Sequence, residues 1–376
     1  MADFWSNSDR GYRIKLSLTP SKPNIPANST NVRVQLALFN TTTTFAQYNC
    51  TASATVNGQT YSWSGSPNML SMNSSINLID KTVTIGHNPD GQKSFSFSAT
   101  FSGSGGYSPG RLNVATGTMP LARIPRTSTV TAGTVNFGSA LTITIQRADS
   151  SFKHTVRYEF AGKTGTIASN VDTSTSWTVP LSFANDVPNA NSRSGTIYVD
   201  TYSGSSKIGT SQTSFTGTVP ADIKPLLSGV ILSDGNSAVQ ALIPETNIFV
   251  QILSNIKVSF VGAMGSYSST ISGFKAEIVG KNQVTTENGG TLGFMNYNGT
   301  VTIRASVSDS RGRWSNPVDT TVTVMEYFAP IMSFSVARGG SLQDVINVKR
   351  NARIAPLTVN GSQRNTMTLS FYVSRA

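Results

Sequence analysis

The stretch Tyr12–Leu18 reads YRIKLSL, in which apolar and polar side chains alternate residue by residue. Because successive side chains of a β-strand point to opposite faces, this alternation predicts a strand with one buried face. The same period of two recurs in Val32–Leu38, Phe95–Phe101 and Val301–Val307. Helical periodicity is nearly absent, so the sequence predicts antiparallel sheets and an all-β fold.

Turn signals separate the predicted strands at short intervals. Asn57-Gly58 lies between two alternating runs and predicts a type I′ hairpin turn, and Asp90-Gly91 predicts another before the strand at Phe95. The segment Leu242–Val261 is rich in β-branched residues, which favour one long strand or two strands around a bulge. Short strands with a turn every ~8–12 residues are typical of β-sandwiches.

Prolines mark three junctions in the chain, at residues 120–125, 220–225 and 330. Proline fixes φ and donates no hydrogen bond to a sheet, which suits the step from one sandwich to the next. We therefore predict tandem β-sandwich modules: an N-terminal sandwich at 1–123, immunoglobulin-like (Ig-like) domains at 124–219 and 220–329, and the start of a further, incomplete module at 330–376. The two middle lengths match the ~100 residues of an immunoglobulin-type sandwich.

The composition argues against several classes of partner and cofactor. The chain has 376 residues, only 12% of them charged, and a net charge of +11. A zinc site would need His87, His154 and carboxylates from separate modules, and the single Cys50 permits no internal disulfide. Lys and Arg do not cluster among aromatics as nucleic-acid binding requires, and no apolar run approaches ~18 residues. We predict no cofactor, no metal, no nucleic-acid partner and no membrane insertion.

Few residues suggest catalytic chemistry. His87–Gly91 predicts a turn rather than an acid–base cluster, and His154, just before a strand, is predicted to be exposed. In the loop Asp309–Trp314 we expect Asp309 to accept backbone N–H groups and Gly312 to adopt positive φ; a ligand-binding loop is the alternative there. The four acids of the first module are not paired near aromatic platforms, and no Gly-x-Ser-x-Gly elbow sits on a strand-to-helix turn, so a non-enzymatic role is predicted.

Aromatic and basic side chains supply the candidate contacts with a ligand or a partner. Trp63 and Trp177 are predicted to lie in the cores of their sandwiches. Near the N-terminus, Trp5 is predicted to dock against a neighbouring subunit. The full set of candidate contact residues is Trp5, Tyr107, Arg311, Arg313 and Trp314.

Several junction and turn motifs resemble those of a known family. Val83–Lys93 with the following Phe95 strand, Pro120–Arg126, and Ala305–Arg313 with Tyr327 and Pro330 resemble minor structural proteins of long-tailed phages that infect streptococci and related Gram-positive bacteria, including their Ig-like repeats. The resemblance implies a non-enzymatic structural protein of the virion tail, at the tail tip, baseplate or fibre, that contributes to virion assembly and host attachment.

The resemblance also implies the partners and the location. Other tail or baseplate proteins would bind the N-terminal module, a homotrimer is favoured by likeness to fibres, and host cell-wall glycan is a further candidate partner. The N-terminus lacks the basic start and apolar run of a signal peptide, so synthesis in the host bacterial cytoplasm is expected. Two alternatives stay open: a carbohydrate-binding adhesin or receptor-binding protein that grips cell-wall polysaccharide with Trp314 and Tyr107, and a wall hydrolase.

Overall fold

The computed structural model describes residues 1–42, 49–67, 72–104, 109–342 and 345–372. Nearly all regular secondary structure in these ranges is β-strand arranged in several sheets, which confirms the predicted all-β sandwich fold. The chain divides into two compact units. The first unit comprises residues 1–133, 141–177 and 194–215, and the second comprises residues 134–140, 178–193 and 216–376.

The first unit begins with a sandwich of two four-stranded antiparallel sheets, ordered β1-β2-β3-β6 and β5-β4-β7-β8. On β2, the alternating residues Ile14, Leu16 and Leu18 are fully buried and pack in one cluster with Val56 and Phe101. The strands are β1 (Ala2–Trp5), β2 (Tyr12–Pro20), β3 (Ser29–Asn40), β4 (Asn49–Val56), β5 (Gln59–Gly65), β6 (Ser74–Gly86), β7 (Ser94–Ser104) and β8 (Arg111–Pro120).

Residues 129–218 form eight strands and one short 3₁₀-helix at Leu181–Asp186. The strands are β9 (Thr129–Thr131), β10 (Thr134–Asn136), β11 (Ala140–Gln146), β12 (Lys153–Phe160), β13 (Lys163–Val171), β14 (Ser174–Thr178), β15 (Ser192–Ser203) and β16 (Ser206–Thr218). Strand β12 pairs antiparallel with β13 and β15, and β9 with β11. The short β10 instead runs parallel to the last three residues of β16.

The second unit contains a complete sandwich, with sheets ordered β17-β19-β22 and β18-β24-β23-β20-β21. Its core includes Ile256, Val258, Ala305 and Val307, which alternate along their strands as the sequence predicts. The elements are β17 (Gly229–Asp234), α1 (Ser237–Leu242), β18 (Ile248–Val250), β19 (Asn255–Val261), β20 (Ile271–Ile278), β21 (Val284–Thr285), β22 (Thr291–Phe294), β23 (Gly299–Asp309) and β24 (Val318–Met325).

Two small antiparallel pairs follow this sandwich. Strand β25 (Ile331–Gly339) pairs with β26 (Val345–Arg353), and β27 (Thr358–Val359) pairs with β28 (Ser362–Gln363). Leu357 and Val359 are buried in a small cluster with Val239 and Ile243, at helix α1. The last pair therefore has a core contact of its own, whereas β25 and β26 project nearly all their side chains into solvent.

The structure confirms one predicted turn and corrects the other. Asn57 and Gly58 have φ of 50° and 78°, as a type I′ hairpin turn requires. The prediction of a second such hairpin at Asp90-Gly91 is wrong, because only Gly91 of the two has positive φ and the flanking strands β6 and β7 lie in different sheets. This turn carries the chain from one sheet of the sandwich to the other.

Two further predictions need correction. The strands expected within Leu242–Val261 exist as β18 and β19, but they belong to different sheets rather than flanking a bulge. His154 was predicted to be exposed and is buried, because it lies on the inward face of β12. Its Nδ1 lies 3.0 Å from the carbonyl oxygen of Val171 and its Nε2 lies 2.8 Å from the hydroxyl of Ser128.

Candidate functional site

The loop between β23 and β24 folds as a tight turn around one carboxylate. Asp309 Oδ1 accepts the backbone N–H groups of Arg311 (3.1 Å) and Arg313 (3.0 Å). The N–H of Gly312 donates to the carbonyl of Asp309, and Gly312 has φ of 78°. Both roles predicted for this loop are thereby confirmed. The turn fixes where the side chains of Arg311 and Arg313 start.

The side chain of Arg311 is buried inside the second unit, where its guanidinium bonds to the backbone. Its side chain has no exposed surface, and Asp309 Oδ2 lies 3.7 Å from one of its terminal nitrogens. Its nitrogens also donate to four backbone carbonyls, at 2.6–3.0 Å, which belong to Val187, Ala184, Ser266 and Tyr267. Desolvation lowers the pKa of Arg311, and the charge of Asp309 opposes that shift. The expectation that Arg311 contacts an external ligand is therefore wrong.

The carbonyls that hold Arg311 belong in part to a strained loop. Tyr267 and Ser268 have φ of 48° and 64°, a left-handed conformation that costs non-glycine residues free energy. Ser269 Oγ donates to the carbonyl of Ser266, which also accepts from Arg311. The buried guanidinium thus stabilises a backbone conformation that the local sequence disfavours.

Arg313 performs a similar role for the proline-containing junction. Its Nε donates to Asn191 Oδ1 at 2.7 Å, and its terminal nitrogens donate to the carbonyls of Val219 (2.7 Å), Pro220 and Ile223 (2.8 Å). We name Asp309, Arg311 and Arg313 the arginine clamp. The clamp joins residues 184–191, the junction 219–223 and the loop 266–267, all within the second unit. Its hydrogen bonds hold these backbone segments together.

A simpler junction occurs in the first unit. Arg126 donates to the carbonyls of Ile25 (2.7 Å) and Ile208 (3.0 Å), and Ile124 beside it is fully buried. The carbonyl of Gly91 accepts the N–H of Ile124 at 2.9 Å and lies 2.8 Å from His87 Nδ1. The His87–Gly91 motif therefore acts as the turn that the sequence predicts and supports this junction.

Trp5 lies in an exposed cluster on the edge strand β1. Its side chain is 43% exposed, and the guanidinium of Arg13 and the amine of Lys15 lie 4.7 Å and 5.5 Å from its ring. The ring of Phe39 lies 4.9 Å away, and Lys15 forms an ion pair with Asp3 at 3.4 Å. A hydrogen bond from Ser17 is the largest cause that lowers the pKa of Asp3. The cluster offers a partner an aromatic surface flanked by cations.

The remaining aromatic candidates divide between core and surface. Trp63 and Trp177 were predicted to be core residues and are half-buried instead: Trp63 packs against the core of the first sandwich, and Trp177 stacks on Tyr158 at 4.6 Å. Trp314 is 45% exposed directly after the clamp. Tyr107 lies outside the described residues.

No metal site was found by sequence reasoning, and in the described ranges no group of three or more His, Cys, Asp or Glu is placed to hold a metal ion. Within the same ranges no helix combines the length and apolar character needed to cross a membrane.

The arginine clamp was not predicted from the sequence, because its acceptors are backbone carbonyls, which any residue supplies. The only sequence signal for it was the concentration of Asp309, Arg311 and Arg313 in one turn.

Comparison with known proteins gave one family match. The model of a family described as siphovirus proteins of unknown function (DUF859) matches residues 1–376. A search of curated proteins found no match.

Several solved structures are similar to this chain. A structure of a 1.5-MDa bacterial ice-binding adhesin is 13% identical, covers 83% of this chain and 98% of its own, and has a TM-score of 0.31. Fibronectin(III)-like modules of Clostridium thermocellum CbhA are 11% identical, with 52% and 94% covered and a TM-score of 0.22. A two-domain fibronectin type III segment of chicken tenascin is 10% identical, with 53% and 96% covered and a TM-score of 0.20.

Proposed function

Because this chain belongs to the siphovirus protein family DUF859 along its whole length, we propose that it is a non-enzymatic structural component of the phage tail. It would act at the tail tip, baseplate or fibre, in virion assembly and host attachment. The observation that carries the proposal is the arginine clamp, which uses the strongest hydrogen-bond donors of its loop to fix one segment of backbone against another. Chemistry on a substrate would instead need those groups free.

The energetics of the clamp support a mechanical role. A hydrogen bond to a charged group contributes ~1.5–3 kcal/mol, and a buried carbonyl left without a donor costs ~1–3 kcal/mol. Arg311 alone serves four carbonyls, so its loss leaves several acceptors unsatisfied at once. A particle component benefits from such a junction because it must keep its geometry without disulfides, and Cys50 is the chain's one cysteine.

The N-terminal sandwich supplies the proposed contact with the tail. Strand β1 lies at the edge of its sheet and carries Trp5 among Arg13, Lys15 and Phe39. Edge strands pair readily with another chain, and partly exposed Trp and Arg are frequent at the centres of interfaces. We assign the docking of other tail or baseplate proteins to this cluster. The proposed homotrimer of the assembled protein rests on the resemblance to fibres.

A groove on the opposite sheet favours the second candidate function, a carbohydrate-binding adhesin or receptor-binding protein. The groove has a volume of about 520 Å³ and crosses β5, β4 and β7. Hydroxyl groups dominate its lining, with one basic residue at its rim: Thr51, Ser53, Ser62, Ser64, Thr100, Ser102 and Arg111. Such a surface can exchange hydrogen bonds with a polyol such as cell-wall polysaccharide. Trp63 also lines the groove, and Trp314, which is 45% exposed, presents a further aromatic surface in the second unit.

Gold labelling of the protein on intact virions, viewed by negative-stain electron microscopy, tests the proposal. Label at the distal part of the tail is expected. Label on the capsid, or particles that carry no label although the protein is present in the lysate, would reject a tail role.

Binding of the purified chain to host cell walls tests the second function. Saturable binding that falls at least tenfold in Trp314→Ala or Arg111→Ala, but not in Trp177→Phe, is expected of an adhesin. Trp177 is the control because its ring is packed on Tyr158 and Phe215. Loss of wall turbidity with the pure protein would instead indicate a hydrolase.

A further inference from the structure

Strands β25 and β26 form a ribbon, which we name the terminal ribbon, and one of its faces carries a group of apolar side chains flanked by Arg338 and Arg350. On this face Phe334 is 62% exposed, Val336 56%, Ile346 53% and Val348 44%. The pairing Val336↔Val348 places the two valines side by side, and Phe334 and Ile346 lie on the same face because they are two residues along their strands. An exposed apolar face of this kind marks an interaction surface.

The terminal ribbon is an unfinished sheet. A two-stranded hairpin is marginally stable in water and needs a third strand or a packed neighbour. Within the described residues, neither β25 nor β26 pairs with any other strand. Both edges therefore present unpaired N–H and C=O groups, which are a template for pairing with another chain.

A slot lies between the last part of β26 and the segment that follows β28. It has a volume of about 490 Å³, and its walls are Arg350, Asn351 and Ala352 on one side and Met367 and Leu369 on the other. The segment of residues 365–370 alternates between half-buried and exposed residues like a strand, yet it forms no ladder with β26. The slot thus lies between β26 and this second extended segment, and a further strand placed in the slot would lie beside both.

The charge of the ribbon determines what kind of strand fits. Arg338, Lys349, Arg350 and Arg353 are basic, and none of them forms an ion pair with another described residue. Arg350 lies over Phe371 at 5.8 Å and Arg353 over Phe328 at 4.9 Å, contacts that leave the positive charge uncompensated. Residues 330–376 carry six basic residues and one acidic residue.

This charge and the open edges disfavour two other occupants. The same ribbon of a second copy would oppose like charges, which costs free energy at an interface. A lipid surface cannot satisfy the open strand edges, because unpaired backbone groups are not tolerated in the hydrocarbon region. A strand with glutamate or aspartate on one face and apolar residues on the other satisfies the edge, the apolar face and the cations together.

We infer that the slot along β26 takes an acidic, amphipathic β-strand contributed by a different protein. The inference deepens the proposed function by naming the chemistry of a partner that the chain would meet in the tail. Backbone hydrogen bonds at the edge of β26 would hold the strand, Lys349 and Arg353 would face its carboxylates, and Val348 and Met367 would pack beside its apolar side chains.

Binding of the purified full chain to two synthetic peptides tests the inference. The probe is a fluorescently labelled nine-residue peptide that alternates valine with glutamate, and its control alternates valine with lysine. We expect saturable binding of the glutamate peptide, at least tenfold tighter than the lysine peptide, that weakens steeply with salt. Equal binding of the two peptides, or binding of neither, would overturn the inference.

Matched variants separate the ribbon from the rest of the surface. Lys349→Gln with Arg353→Gln should weaken binding about tenfold and flatten its salt dependence, whereas Lys81→Gln, an exposed lysine of the first unit, should not. Val348→Ser with Val336→Ser should weaken binding at all salt concentrations, whereas Ile231→Ser, 59% exposed on β17, should not. These residues are solvent-exposed, so the variants should fold.

Two further measurements exclude the other occupants. In sedimentation experiments without peptide, the native chain and the Val336→Ser/Val348→Ser variant should show the same degree of self-association. In flotation experiments with phosphatidylglycerol vesicles, the chain should remain unbound. Association in either experiment that depends on the ribbon residues would overturn the inference. The two proposals are tested independently. The glutamate peptide can bind even if the label is absent from the tail, and the label can be found on the tail even if the peptide does not bind.

Discussion

The junction at Arg126 and the clamp at Arg311 both fix separate backbone segments against each other, but different interactions dominate in each. Both hold separate backbone segments together through an arginine. At the first junction the arginine is half-buried and serves two carbonyls, while the fully buried Ile124 fits against Gly91. At the clamp the arginine is wholly buried, serves four carbonyls and lies beside a carboxylate.

The two junctions are sensitive to different kinds of substitution. Close fit dominates the first, because a Cβ on Gly91 would come within 1.9 Å of the carbonyl oxygen of Ile124. Hydrogen bonding to buried groups dominates the second junction. Without the guanidinium, buried carbonyls would lose their donor and the strained Tyr267-Ser268 backbone would lose its support. Truncation of the arginine should therefore matter most at the clamp, and addition of a methyl group should matter most at the other junction.

The largest effect is expected from Arg311→Ala. Arg311 and Asp309 form a fully buried ion pair, and removal of one partner from such a pair costs ~3–5 kcal/mol. Urea denaturation followed by circular dichroism should show this loss in the free energy of unfolding of the second unit. Arg304→Ala is the control, because Arg304 pairs with Asp319 on the surface and such pairs contribute ~0.2–1 kcal/mol. A loss below ~1 kcal/mol for Arg311→Ala would contradict the role assigned to the clamp.

The second effect is expected from Gly91→Ala. The new Cβ meets a backbone oxygen and the φ of 79° is strained for alanine, so we expect a loss of ~2–4 kcal/mol in the first unit. Gly58→Ala is a matched control, since Gly58 has φ of 78° but nothing within 4 Å of its Cβ position. It isolates the cost of the backbone conformation, ~1 kcal/mol. Equal losses for the two variants would remove the argument from close fit.

Cys50 provides a measurement confined to the first unit. It is the chain's only cysteine, it is buried, and burial raises the pKa of its thiol to about 12. Because the thiolate is the reactive form, a thiol reagent labels Cys50 only after that unit opens. Gly91→Ala should accelerate labelling at least tenfold, whereas Arg311→Ala should leave the rate unchanged.

Arg126→Ala should give a smaller loss. Two hydrogen bonds from a half-buried guanidinium contribute ~1–2 kcal/mol, and water can reach the carbonyls that are left. The labelling rate of Cys50 and the urea midpoint both measure it. Arg123→Ala, at an exposed neighbour, should stay within ~0.5 kcal/mol of the native chain. If Arg126→Ala costs as much as Arg311→Ala, the contrast between the junctions is lost.

The smallest effect concerns acid and again separates the regions. Desolvation opposes ionisation of Asp200, but hydrogen bonds from Arg157, Lys207 and Thr210 outweigh it and lower its pKa. A lowered folded-state pKa stabilises the fold above the unfolded value of ~3.9 and the contribution is lost as pH falls further. Between pH 5 and pH 3, Asp200→Asn should lose less stability than the native chain.

The control for the acid experiment is Asp172→Asn. The side chain of Asp172 is 52% exposed, so water screens its interactions with Arg147 and Lys153. An acid response of Asp200→Asn that matches the native chain would show that the buried network around Asp200 does not set the response.

The sequence predicted the strands well because their signal is local. Ile14, Leu16 and Leu18 reveal their buried face by alternation alone, and Asn57-Gly58 reveals a turn by residue type. Helix α1 was missed, although the side chain of Asn236 caps its N-terminus, because six residues are too few to show a helical period. Which sheet a strand joins, as at β6 and β7, depends on distant pairing that the pattern does not encode.

The clamp illustrates the same limit for the site. The roles of Asp309 and Gly312 follow from turn chemistry within five residues of sequence and were predicted. The partner of Arg311 Nε is the carbonyl of Val187, 124 residues away, and a carbonyl leaves no mark in the sequence. Trp5 and Trp314 were singled out by residue type, but their exposure came only from the structure.

The parallel pairs β10–β16 and β18–β24 have a consequence for a chain under tension. In each, a short strand near one end of a fold lies alongside the last strand, joined over three residue pairs. Parallel strands pulled apart from their opposite termini are loaded in shear, so their hydrogen bonds must break together rather than peel open one at a time. Such an arrangement resists stretching most where the chain enters and leaves each domain.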